Sequence, residues 1–160
     1  MKTLLVVIAC LLVGCFASAS PPRMMTTQEL EARSTRSYAT DLATGMRAAE
    51  AALRTLGFEV TVVSAETGIV KTAPREFMSS ANGARNQATI YRDELAWTLT
   101  LMAAGDKLSV KASPQAYTNG NPVPPEQLPV QALDPKFTAL WNELDAAMIT
   151  ARTPRTEAAP

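Results

Sequence analysis

A nucleophile in this chain has to be a thiol, a hydroxyl or a carboxylate, because its 160 residues include no histidine. That absence excludes Ser-His-Asp and Cys-His relays and removes the commonest zinc ligand. The only two thiols, Cys10 and Cys15, sit close to the N-terminus, so nothing beyond residue 15 can act through a thiol or form a disulfide. Ser79-Ser80 has no lysine at S-x-x-K spacing, since position 82 is Asn. Asp93-Glu94 is the closest acidic pair, but adjacent strand residues point to opposite faces, which suits a solvated strand start better than acid-base work. Gly45, Gly57, Gly68 and Gly83 lack the spacing of a phosphate-cradling loop. No catalytic residue, cofactor or metal ligand follows from these types and spacings. A hydrolase would need the fold to converge carboxylates such as Asp93, Glu94 and Glu143 in one cleft.

The position of Cys15 is what gives that thiol a meaning. Lys2 is followed by an apolar run, Leu4 to Val13, and then by small residues, the order of a secretory signal. A membrane-spanning helix needs about 20 apolar residues, and this run is too short. Its exit, Leu12-Val13-Gly14-Cys15, resembles the bacterial lipobox. The resemblance implies cleavage between Gly14 and Cys15 and acylation of Cys15, which would anchor the chain to a membrane through its acyl chains. An ordinary secretory signal, cut after Ala17 or Ala19 at the A-x-A-like Ala17-Ser18-Ala19, is the rival reading. Phe16, in place of Asp after the cysteine, implies outer-membrane delivery by analogy with enteric lipoproteins.

Cleavage of residues 1–14 from 160 would leave 146, one domain's length, with 14 basic against 15 acidic residues once Lys2 is gone. Such balance offers neither a nucleic-acid footprint nor a polybasic membrane patch. The expected organisation is a signal peptide over 1–14, a lipidated N-terminus and flexible tether over 15–32, a single domain over 33–150 and a disordered tail over 151–160. Within the tether, Thr26 or Thr27 can cap a short helical turn through Gln28 to Glu31, with Glu29 or Leu30 at its third position.

The strongest element is a helix from Asp41 to Leu56, where Leu42, Met46, Ala49, Leu53 and Leu56 share one face and Gly57 ends it. Arg33 to Ala39 precedes it as a short extended segment leading to Thr40 or Asp41 as its cap. Period two then takes over: Phe58, Val60 and Val62, a turn at Gly68, and Ile69-Val70 form one hairpin. Leu95, Trp97, Leu99 and Leu101, a turn around Gly105, then Leu108, Val110 and Ala112 form another. Trp97 falls on the apolar face and reads as core. Residues 77–90 show no period and are expected as a mobile loop. From Pro114 the prolines argue for a surface crossing and against a strand. Asp134 and Pro135 are expected to open a last helix as cap and first residue, its apolar stripe being Phe137, Leu140, Trp141, Leu144 and Met148.

The expected fold is α+β: a four-stranded antiparallel sheet of two hairpins, covered on one face by two helices, in the order α-β-β-β-β-α. Ala48 to Val70, AAEAALRTLGFEVTVVSAETGIV, resembles the helix, Leu-Gly-Phe, strand, Gly, strand opening of small bacterial envelope lipoproteins. The Asp134-Pro135 helix is similar to the ends of several of them. The architecture also resembles the helix-grip domains of the BamC-type lipoprotein of the outer-membrane β-barrel assembly machinery. What the resemblance implies is a non-enzymatic outer-membrane lipoprotein facing the periplasm, with envelope proteins and no nucleic acid among its partners. The alternative is a binder of a small apolar ligand, in a cavity between the Leu95 to Leu101 and Phe137 to Met148 faces.

Overall fold

A computed structural model of the chain describes residues 22–82, 89–124 and 127–152. Over these residues the fold is α+β with three helices and seven strands: α1 (Thr27–Ser34), β1 (Thr35–Tyr38), α2 (Leu42–Thr55), β2 (Val60–Ser64), β3 (Ile69–Thr72), β4 (Arg75–Asn82), β5 (Thr89–Ala104), β6 (Lys107–Thr118), β7 (Asn121–Val123) and α3 (Val130–Arg152). The sheet is antiparallel, ordered β1-β6-β5-β3-β2, with β4 also on β5 and β7 also on β6. This overturns the expected four strands and two helices.

The extra strands follow from the length of the central hairpin. β5 and β6 pair from Asp93↔Thr118 to Ala104↔Lys107, too long for one short neighbour to cover either outer edge. Each outer edge therefore carries two. Ile69 to Lys71 of β3 and Arg75 to Asn82 of β4 follow one another along β5, broken at Ala73-Pro74. At that break the Trp97 amide donates to Thr72 Oγ1, at 2.9 Å, which satisfies a buried N–H that no strand can reach. Along β6, β1 covers Leu108 to Lys111 and β7 covers Ala116 to Thr118.

Pro114 falls between those two coverings, opposite Trp97. The Trp97 amide already points away from β6 toward Thr72, so this pair exchanges no hydrogen bonds and the proline's missing donor faces the uncovered stretch. Hence β6 runs through a residue that reads as a strand breaker. Asn119 and Gly120 have φ of 51° and 77°, the turn from β6 into β7, where a surface crossing was expected. The supposed loop at 77–90 is likewise corrected: residues 77–82 lie in β4 and 89–90 in β5, paired Ala81↔Ile90 and Asn82↔Thr89, while 83–88 lie outside the described residues.

α2 matches its sequence signals. Asp41 caps it by accepting from the Thr44 amide, and this hydrogen bond holds the carboxyl below its usual range. It ends with Gly57 at φ 77°, Gly57 N–H donating to the Arg54 carbonyl and Phe58 N–H to that of Leu53. Gly45 lies where an added Cβ would stand 2.1 Å from Leu108 Cδ2, so its bareness lets α2 lie close on the sheet.

α3 starts at Val130, not at Pro135, and Pro135 lies inside it. Asp134 is therefore no cap; its carboxylate pairs with Arg33. The Val130 amide finds its acceptor outside the helix, in the Arg23 carbonyl. Beside it Met24 bridges Pro129 and Met25 is only 2% exposed. Packing thus reaches back to residues 24 and 25. Thr26 and Glu29 complete a capping box on α1.

The core lies between the helices and one face of the sheet, built from Leu95, Trp97, Leu99 and Leu101 of β5, Leu53 of α2, and the α3 stripe. The β2–β3 hairpin departs from expectation in register. A shift between Val60 and Val62 leaves Val62 and Val63 42% and 49% exposed.

Candidate functional site

Gly14 and Cys15, the cleavage and lipidation candidates, lie outside the described residues, as do residues 1–21 and 153–160. The carboxylates proposed for hydrolysis are not brought together. Asp93 accepts from the Thr118 hydroxyl at 2.8 Å. Glu94 is the next residue along the strand, opposite Glu76 and Tyr117, and Glu143 belongs to α3. Among the described residues no three potential ligands cluster for a metal ion.

The space between the Leu95 to Leu101 and Phe137 to Met148 faces is filled. Trp97 meets Phe137 edge-on with ring centroids 5.2 Å apart, and each side chain of both stripes is buried. A recess of about 280 Å³ lies at one end of this seam, among Leu56 at the close of α2, Phe58, the start of β4, Leu95 and Trp97 of β5, and Lys136 and Ala139 of α3.

Local structure places each group around that recess. The last carbonyls of a helix lack intrahelical donors, and Arg75 reaches from β4 to donate to the Leu56 carbonyl. This fixes its guanidinium 5.6 Å from the Phe58 ring centroid. A register shift between Glu76 and Met78 accommodates Phe77 in β4, and Lys136 Nζ stands 5.2 Å from that ring's centroid. Glu76 also lines the recess, and its carboxylate lies 4.0 Å from Arg92. Among the described residues neither Arg75 nor Lys136 has a carboxylate within ion-pair distance. Sequence reasoning missed this group, since Phe77 was assigned to a loop; the cation-aromatic neighbours Arg75 and Phe77 were the available signal.

A second cation-aromatic group lies further along α3. Arg36 of β1 sits 5.2 Å from the Trp141 ring centroid and donates to Asp145 at 2.7 Å. Tyr38 donates to the same carboxylate at 2.8 Å. Burial, and then the hydrogen bond to Asp145, push the Tyr38 hydroxyl well above the usual tyrosine range. Trp141 Nε1 donates to the Arg33 carbonyl at 2.9 Å. Every polar group here is answered from within, which makes it a clasp joining β1, α1 and α3.

The sheet's borders also differ. β7 carries Pro122, β1 carries Arg36 and β4 carries Arg75 and Glu76, whereas β2 reads Val-Thr-Val-Val-Ser and pairs only with β3. Prolines and charges are the usual guards of a sheet edge; β2 has neither. No helix among the described residues is long and apolar enough to cross a membrane. No protein-family model matches the chain, and no curated protein matches it in sequence.

Proposed function

We propose that this protein is a non-enzymatic lipoprotein, anchored by acyl chains on Cys15 in the outer membrane and facing the periplasm, that offers a protein-binding surface to an envelope assembly. The observation that carries the binding role is the β2 edge. Val62 and Val63 are 42% and 49% exposed on a strand that pairs on one side alone among the described residues, and an edge without proline or charge can take up an extended partner segment through main-chain hydrogen bonds. The lipobox supports the anchor. Nine peptide steps lead from Cys15 to Met24, where the packed chain begins to pair, so the leash would extend about 30 Å at most. That length would keep Met24, where the packed chain begins, within the same distance of the anchor.

The test is photocrosslinking in intact cells from position 62, with position 107 at the start of β6 as control, and mass analysis of the Cys15 peptide. Defined envelope proteins joined at 62 and not at 107, lost in Val63→Pro, together with an acylated Cys15, are expected. Equal adducts from both positions would overturn the edge as the docking surface. Membrane attachment of Cys15→Ser with its signal removed would overturn the lipid anchor.

A further inference from the structure

We propose that the recess between α2, β4 and α3 is a binding site for a small apolar monocarboxylate. The inference is independent of the β2 edge and of the anchor. Its wall is mixed: Phe58 and Phe77 stand beside the charged Arg75, Glu76 and Lys136, with Leu95 and Trp97 behind them, and apolar and aromatic groups with a few placed polar ones are what small-molecule sites present. About 280 Å³ is near the lower limit of such sites, which restricts the ligand to a small acid.

Charge selects the headgroup. Arg75 and Lys136 both line the recess, and no carboxylate among the described residues lies within ion-pair distance of either. Glu76 is the acidic residue of the lining, and Arg92 shares its charge. Stacking on Phe58 and Phe77 restrains the two cations without consuming their N–H donors. The guanidinium carries five such donors and the ammonium three; Arg75 donates one to the Leu56 carbonyl through Nη1. The remaining donors can hold a carboxylate at the mouth while its apolar body rests against the half-buried Phe58 and Phe77, in front of Trp97.

The full chain, in a detergent with a neutral headgroup, would be titrated with hexanoate and with phenylacetate, using hexanol and hexylammonium as controls. The two tryptophans supply the readout, because Trp97 lines the recess and Trp141 belongs to the clasp. Saturable movement of the Trp97 indole resonance with a still Trp141 is expected, with hexanol at least about tenfold weaker, the worth of a charge-assisted hydrogen bond. Lys136→Gln should weaken hexanoate about tenfold and Lys136→Arg should restore it, both with an unchanged melting temperature. Equal binding of hexanol, no Trp97 response to either acid, or full affinity in Lys136→Gln would each overturn the proposal.

Discussion

Two cations rest on aromatic rings along α3, and they differ in what completes them. Arg36 over Trp141 meets Asp145, which Tyr38 also binds. Lys136 over Phe77 meets no acid among the described residues. The same pairing therefore serves two ends. Where a carboxylate from α3 closes the set, the group fastens β1 to the helix; where none does, the cations stay available to an anion from outside.

The comparison can be broken most severely at Trp141. Trp141→Ala removes a buried ring and its hydrogen bond to the Arg33 carbonyl, and should cost about 3–5 kcal/mol, read from denaturant unfolding. Asp145→Ala comes next. It strips Arg36 and Tyr38 of their acceptor, and with the pair about half exposed the loss should be about 1 kcal/mol. Lys136→Gln, at the unclosed group, should stay within about 0.5 kcal/mol of the parent. A destabilisation by Lys136→Gln equal to that of Asp145→Ala would erase the distinction.

The smallest effect is an acid one at the clasp's outer end, where Glu29 holds α1. The Thr26 amide, with Arg23 and the Thr26 hydroxyl after it, lowers the Glu29 carboxyl to about 2 from 4.5. A carboxyl depressed in the folded state stabilises it above the unfolded pKa and loses that contribution as pH falls through the folded value. Protection of the first amides of α1 against hydrogen exchange should thus be intact above pH 4.5 and fall toward pH 2, while the recess residues keep theirs. Unchanged α1 protection across that window would remove the capping box from the account.

These two regions were unequally legible. α2 could be read directly, because its cap, its stripe and Gly57 are local signals that agree. The middle of β5 and of β6 was equally plain, their alternation being the imprint of one buried face. β4 was not, for Ser79, Ser80 and Asn82 carry no alternation, and what makes them a strand is the long partner β5. Pro114 misled for the opposite reason: a strong local signal lost to a register in which its missing N–H costs nothing. Asn119-Gly120, a hairpin signal in itself, was outweighed by the prolines around it. At α3 the Asp134-Pro135 pair mimicked a helix start, whereas the helix begins where Arg23 supplies an outside acceptor for the Val130 amide.

By itself the sequence determined the buried stripes of β5 and of the last helix, where α2 ends, and that thiol and imidazole chemistry is closed to everything after Cys15. Burial period, caps and the absence of a residue type are properties of short stretches, so they survive without knowledge of the partners. The tertiary structure decided how many strands the sheet has, which of its edges is unguarded, and that Arg75 and Lys136 share one recess while Arg36 is answered by Asp145. Each of these depends on residues far apart in the chain, and a pairing across that distance is set by the shape of the whole core.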